Sequence, residues 1–301
     1  MVSVIIPCYN CSRTIDRAIK SVMSQNCQDI IEIILVNNNS TDNTLELLNS
    51  YKRQYPNFIF VYSELKKGAP AARNHGLKVS KGDWIQFLDA DDELLPNKIT
   101  RQLAIAIENS ADIIAGGCLL KYQSAKKTYD IYRTVTSDVW QGLITSNLGI
   151  TSSNFWRKSA LSDVHGWDEN LTSSQEYDLL LRMIKNSAKL CSDNEFNTVV
   201  YFSDNSVSKS SNKQRFKQII ENRINIRLRV KDELQFRSLL TPDLKTAIDT
   251  YIYTELINNS RQLGNYSTDL LHKYKPEVKL ETVLKLKTKL FFKKVFTLAK
   301  G

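Results

Sequence analysis

The residues Phe87-Leu88-Asp89-Ala90-Asp91-Asp92 bring three carboxylates to the end of an apolar run that begins at Trp84. Acids released at the C-terminal end of a strand stand where open α/β sheets bind ligands. The Asp-x-Asp spacing of Asp89 and Asp91 suits a hard divalent cation, Mg²⁺ or Mn²⁺. Such ions prefer oxygen, often take only one or two carboxylates from a protein, and share phosphate oxygens. Taken alone, the same six residues also read as a strand followed by an acidic turn.

Several elements must converge to make that turn a site. Residues 2–7 read as a buried strand, and Ile15, Ala18, Ile19 and Val22 follow at helical spacing, with Ser12 or Thr14 as the cap. Residues 31–36 form a second strand, 37–41 a polar turn, and Asp42 caps a helix over 43–54. Residues 58–62, 84–88 and 112–115 supply three further strands, with helices over 71–79 and 98–109 between them. Alternating strands and helices specify a mainly parallel central sheet covered on both faces. Three polar clusters then leave the sheet at one edge: Tyr9-Asn10, Asn37-Asn38-Asn39-Ser40, and Asp89 to Asp92. That is the layout of a nucleotide site at a sheet's carboxyl edge.

Composition bounds the class. The chain has 301 residues, 42% hydrophobic and 24% charged, an ordinary globular balance. No apolar stretch approaches the roughly 20 residues needed to span a bilayer, and residues 2–6 are too few for a signal-peptide core. A cytosolic start is expected. Cys8, Cys11, Cys27, Cys118 and Cys191 are odd in number, which disfavours a disulfide framework. The Cys8/Cys11 pair lacks the second pair a zinc site wants, and buried, inert thiols are the default reading, with a redox pair as the alternative. The net charge is +9, but residues 271–301 carry nine Lys against two Glu, so the basic character belongs to the tail.

Four blocks in order, Val4-Ile5-Ile6-Pro7-Cys8-Tyr9-Asn10, Leu35-Val36-Asn37-Asn38-Asn39-Ser40-Thr41-Asp42, Ala72-Arg73-Asn74-His75-Gly76 and Phe87 to Asp92, resemble the inverting family 2 glycosyltransferases of bacterial polysaccharide type, with the GT-A fold. A fifth, from Gly166-Trp167-Asp168-Glu169 through Gln175-Glu176-Tyr177-Asp178 to Arg182, resembles their acceptor-side half. The resemblance covers residues 2–208. It implies a nucleotide-sugar donor, UDP-linked, held by Pro7, Tyr9, Asn10, Asn37, Asn38, Arg73, Asp89 and Ala90, with Tyr9 flat against the base and Asn38 on the base edge. Asp89 would take ribose hydroxyls and Asp91 would ligate the cation that bridges the diphosphate. Glu176 inherits the role of base toward an acceptor hydroxyl, while Asp92 caps a helix and Asp178 orients within one, paired to Arg182 at helical spacing. Relatives carry Asp where this chain has Asn37 and Asn38, and an Arg and a His in the stretch that here reads Tyr201-Phe202-Ser203-Asp204-Asn205-Ser206. Each residue has a plainer alternative: a packed core tyrosine for Tyr9, a surface helix residue for Arg73, a helix cap for Glu176.

The resulting organisation is a nucleotide-sugar half over 1–115, an acceptor half over 116–213, and a helical extension over 214–301. In the tail, Leu280, Val283, Leu284, Phe291, Val295 and Leu298 share a helical face, with Lys285, Lys289, Lys293 and Lys300 largely elsewhere. That pattern fits a helix resting on an anionic membrane surface, or one packed on its own domain. A peripheral position on the membrane's inner face follows from the first reading, and it would suit the glycan or lipid-linked acceptor that the resemblance implies. No nucleic-acid-binding motif is present. Two rivals remain. A sugar nucleotidyltransferase would want a Gly-rich loop where this chain has Pro7-Cys8-Tyr9-Asn10. A non-catalytic nucleotide-binding scaffold would tolerate the substituted Asn37-Asn38.

Overall fold

The computed structural model describes residues 1–123, 128–202, 212–286 and 288. The chain forms two compact units, Met1–Gly142 with Ser146–Ser206, and Leu143–Thr145 with Val207–Gly301. In the first, chain order runs β1 (Val2–Cys8), α1 (Ile15–Met23), β2 (Ile30–Asn37), α2 (Thr44–Gln54), β3 (Ile59–Ser63), α3 (Ala69–Val79), β4 (Trp84–Phe87), β5 (Glu93–Leu94) and α4 (Lys98–Glu108). It continues through β6 (Ile113–Gly116), β7 (Cys118–Gln123), β8 (Thr128–Arg133), α5 (Val139–Thr145, which enters the second unit at its end), β9 (Phe155–Arg157), α6 (Lys158–Asp163), α7 (Gln175–Lys185), β10 (Leu190–Asp193) and β11 (Thr198–Phe202).

Seven strands form one sheet in the order β10-β6-β9-β4-β1-β2-β3, and four form a second in the order β5-β11-β7-β8. In the larger sheet only β9 runs antiparallel to its neighbours. Val4, Ile5 and Ile6 are fully buried, as a central strand covered on both faces requires. The expected face of α1, Ile15, Ala18, Ile19 and Val22, is buried in the same core as Ile33, Leu35 and Leu48. Thr14 is the N-terminal residue of that helix, but its hydroxyl donates to the Cys11 carbonyl and caps nothing.

Two sequence readings change. Residues 150–156 also read as a strand in the sequence, but β9 begins only at Phe155. Before it, Ser153 Oγ accepts from the Ile150 N–H at 2.9 Å and Asn154 Nδ2 donates to the Leu148 carbonyl at 2.9 Å. Short polar side chains that bond local backbone offer the chain a turn in place of a ladder. The uninterpreted stretch after residue 116 contains the β7–β8 hairpin and α5.

The second unit contains α8 (Lys213–Phe236), α9 (Pro242–Asn258), α10 (Ser260–Leu263) and α11 (Asn265–Tyr274), the helical extension expected after residue 214. Its core includes Ile220, Ile224, Val230, Leu234, Ile248 and Leu256. Among the described residues no helix is long and apolar enough to cross a membrane. Leu280, Val283 and Leu284 of the amphipathic tail are described, whereas Phe291, Val295 and Leu298, with Lys289, Lys293 and Lys300, lie outside the described residues.

Helix α3 reaches the sheet through Gly76. A Cβ there would stand 2.4 Å from Ile5 Cγ2, an atom on a stiff β-branched side chain in the middle strand. Gly76→Ala is expected to cost about 1–3 kcal/mol of stability through this overlap, read as a lower urea midpoint with an unchanged slope.

Candidate functional site

The acidic turn is held from beneath. The Asp89 N–H donates to Ser152 Oγ at 3.0 Å, and that hydroxyl donates to Asp92 at 2.6 Å. The Asp92 N–H closes the turn on the Asp89 carbonyl at 3.0 Å. Further in, the buried Lys98 ammonium reaches Gln86 Oε1 and the Asn154 carbonyl, while Gln86 Nε2 donates to the Ser152 carbonyl at 2.9 Å. Burial pushes the Lys98 amine well below its ordinary range. The 152–154 turn is thus pinned under the acids. Asp92 does not cap a helix as expected: it is buried on Ser152, and α4 starts beyond Asn97.

Carboxylates crowd at this turn. Burial raises the Asp92 carboxyl well above its usual range, reinforced by Asp89 and Asp91. Asp91 lies open at the surface, yet the protein atoms beside its carboxyl, and then Asp89, also push it up. A divalent cation would relieve that repulsion, and the donors are the hard oxygens that Mg²⁺ and Mn²⁺ prefer. Among the described residues no group of three or more His, Cys, Asp or Glu is arranged to hold a metal.

The loops after β1 and β2 are stitched to each other. The Asn10 N–H donates to Ser40 Oγ at 3.1 Å, and the Asn10 side-chain oxygen accepts from the Thr41 N–H at 2.7 Å. Asp42 accepts from the Ser12 N–H and hydroxyl and from the Thr44 N–H. Those bonds, with Thr44 the largest, hold its carboxyl down to about 2. Tyr9, 63% exposed at the end of β1, is not a packed core residue. Asn37 and Ala90 are buried at the same edge, and Pro7 sits opposite Val36 just before β1 ends.

Asn38 bonds a neighbouring loop. Its amide donates to the Glu64 and Lys66 carbonyls at 2.9 and 2.8 Å, and its oxygen accepts from the Gly68 N–H at 2.8 Å. The side chain shapes the 64–68 loop. Asn39 adopts a left-handed conformation, φ 61°, which Asn tolerates well.

The Arg73-Asn74-His75-Gly76 block joins distant parts of this unit. Arg73 is no surface residue: it is 5% exposed, pairs with Asp89 at 2.6 Å and donates to Gln175 Oε1 at 3.2 Å. Its guanidinium lies over the Trp167 ring, 4.6 Å from the centroid, and its Nε is buried with no partner among the described residues. Asn74 Nδ2 donates to the Trp167 carbonyl at 2.9 Å and its oxygen accepts from the Trp167 N–H at 2.8 Å. Gly166, φ 66°, makes this approach possible, because a Cβ there would lie 2.5 Å from Asn74 Oδ1. His75 meets Glu64 at 3.1 Å, and Lys66 pairs with Glu169 at 2.7 Å.

This clip delivers α7. Glu176 stands half-buried in its first turn. Burial raises its carboxyl above the ordinary value, with a bond from its own backbone N–H and then Arg73 pulling the other way. Asp178 pairs with Arg182 at 2.8 Å, the helical-spacing partnership expected. Sequence reasoning missed Ser152, Arg17 and Tyr201. Arg17 reaches the Asp91 carbonyl and lies over Tyr201. Nothing in their local spacing distinguishes them, since each acts through a partner at least 60 positions away. The arrangement combines an acidic turn suited to a cation, an exposed aromatic ring, a buried cation and a half-buried carboxyl.

The chain is 31% identical over 163 residues to the uncharacterized glycosyltransferase YibD of Escherichia coli K12, 53% of this chain and 44% of that protein. It is 41% identical over 103 residues to the E. coli UDP-Glc:alpha-D-GlcNAc-diphosphoundecaprenol beta-1,3-glucosyltransferase WfaP, 34% of this chain and 40% of that protein. The chain therefore spans less than half the length of these relatives. In structure, S. aureus TarS in complex with UDP-GlcNAc matches with TM-score 0.62 at 18% identity, over 93% of this chain and 76% of that one. The mannosyltransferase PcManGT of Pyrobaculum calidifontis, in complex with GDP-Man and Mn²⁺, matches with TM-score 0.59 at 15% identity, over 97% and 79%. Those likenesses are of fold, the GT-A architecture. The model of the Glycosyl transferase family 2 matches residues 3–165, more than half of the chain, and the protein belongs to that family.

Proposed function

We propose that the protein is a metal-dependent inverting glycosyltransferase. It moves a sugar from a nucleotide sugar, UDP-linked, to a hydroxyl of a glycan or lipid-linked acceptor in surface polysaccharide assembly. The observation that carries this reading is the Arg73 bridge, which joins the acidic turn at Asp89 to the first turn of α7, where Glu176 stands. A donor site and a base held by one buried cation suit a direct displacement. Family membership supports the reaction class, and the printed name of the WfaP relative, with UDP-Glc as donor and a diphosphoundecaprenol acceptor, supports the donor and acceptor classes.

Asp91, with Asp89 beside it, would hold Mg²⁺ or Mn²⁺, and the bound cation would supply neutralisation of charge on the departing diphosphate. The exposed Tyr9 ring offers a flat face to the base. Pro7, Asn10, Asn37 and Ala90 form the wall around it, and Asn38 acts through the 64–68 loop. Arg73 presents its unpartnered Nε toward the donor side. Glu176 takes the proton of the acceptor hydroxyl onto its carboxylate as that oxygen attacks the anomeric carbon, so one displacement inverts the configuration. Residues 1–115 are the donor half in this scheme, 116–213 the acceptor half and 214–301 an extension. Its lysine-rich tail would rest on an anionic membrane surface, in keeping with the exposed Leu280 and Leu284.

Glu176→Gln is expected to lower kcat by about 10²–10⁴-fold while calorimetry finds UDP affinity unchanged; wild-type turnover in that variant would remove Glu176 from the reaction. A second expectation concerns pH. The base must be ionised, and its raised pKa keeps it protonated at acidities where an ordinary Glu has already ionised. At saturating Mn²⁺ and donor, kcat should therefore fall on the acid side at a pH above 4.5, the ordinary Glu value. The residual rate of Glu176→Gln should lack that limb.

A further inference from the structure

Arg17 also stands beside the acidic turn, where its charge pulls the Asp91 and Asp92 carboxyls down. Arg73 is neutralised by Asp89 and Lys66 by Glu169. Arg17 pairs with no carboxylate among the described residues. Its Nη2 donates to the main-chain oxygen of Asp91, which places the guanidinium fork on the turn that carries the cation-binding carboxylate. The guanidinium carbon lies 3.7 Å from the Tyr201 ring centroid, a contact that holds a cation and leaves its in-plane N–H groups free to donate. Tyr201 itself is fixed, because its hydroxyl donates to Glu93 Oε2 at 2.6 Å. Burial and that bond push the phenol up to about 12, so the ring stays neutral. Arg17 Nε is desolvated and unpartnered among the described residues. A guanidinium whose Nε is desolvated and idle is an incomplete hydrogen-bonding arrangement that a phosphate oxygen completes.

We propose that Arg17, carried on the Tyr201 ring, binds the diphosphate of a nucleoside-diphosphate donor beside the Asp91 cation site. This assignment rests on the donor reading above and adds a residue to it. It also gives a function to a departure in this chain: where relatives carry Arg and His, the sequence after β11 reads Ser203 to Ser206, with neither. Here the positive group comes instead from α1, and the last strand supplies an aromatic support.

The test is calorimetric titration of the full chain with UDP and, separately, with uridine, both with Mn²⁺ present. Arg17→Gln retains an amide donor for the Asp91 carbonyl but loses the charge, and Arg17→Lys retains the charge without the fork. Loss of a charge-assisted bond should weaken UDP binding about tenfold or more in Arg17→Gln. Arg17→Lys should recover part of the loss, and uridine affinity should be unchanged in both. Unchanged UDP affinity in a folded Arg17→Gln protein, checked by its thermal melt, would overturn the assignment. So would an equal loss of uridine and UDP, since that would mark a general disturbance of the pocket. Should Arg17→Gln not fold, Arg17→Lys decides alone: reduced UDP affinity with unchanged uridine affinity supports the assignment, and wild-type affinity for both overturns it. Wild-type protein that binds uridine and UDP equally would overturn it too. Wild-type protein that binds neither would overturn the donor reading itself.

Discussion

A guanidinium cannot give up its proton inside a protein, so a buried Arg73 must be met by an acid and by donors' partners wherever it lies. Asp89 supplies the acid, Gln175 a neutral acceptor and Trp167 an aromatic face. These come from two segments that are distant in sequence, the acidic turn and the Trp167–Gln175 stretch, and the charge they enclose fixes their mutual positions. Gly76 lets α3 lie close enough to Ile5 to deliver the arginine, and Asn74 fastens the Trp167 loop alongside. Packing, hydrogen bonding and electrostatics therefore agree on a single arrangement, the consistency expected where a sequence specifies one structure.

The acidic turn makes the opposite demand. Asp89, Asp91 and Asp92 repel one another; Arg73 pairs with Asp89, and Arg17 offsets the charge of the other two in part. Such crowding is destabilising on its own terms. It persists because Ser152 and the buried Gln86–Lys98 network hold the turn from below, a pattern in which local strain is supported by the surrounding scaffold. An ion that binds there gains what the protein alone lacks.

Much of this was legible in the amino-acid sequence, for definable reasons. The apolar runs of β1, β2 and β4 and the spacing of Ile15, Ala18, Ile19 and Val22 are local signals, and they located the elements to within one or two residues. The convergence of Tyr9, the Asn37 turn and Asp89 at one sheet edge follows from parallel topology alone. The antiparallel β9 was not legible, since its three residues follow a turn made by serine and asparagine side chains. That Asn38 holds the 64–68 loop was not legible either, because an amide can serve a loop as well as a ligand. Arg17, Ser152 and Tyr201 eluded sequence reading because each gains its meaning from a remote partner.

The central claim, a cation at Asp91 that couples the protein to a donor diphosphate, is tested most directly by titrating UDP into the protein with and without Mn²⁺, for wild type and Asp91→Asn. The account predicts that Mn²⁺ strengthens UDP binding to wild type and that Asp91→Asn abolishes this strengthening while remaining folded. UDP binding indifferent to Mn²⁺ in wild type, or an Asp91→Asn protein that responds to Mn²⁺ as wild type does, would contradict it.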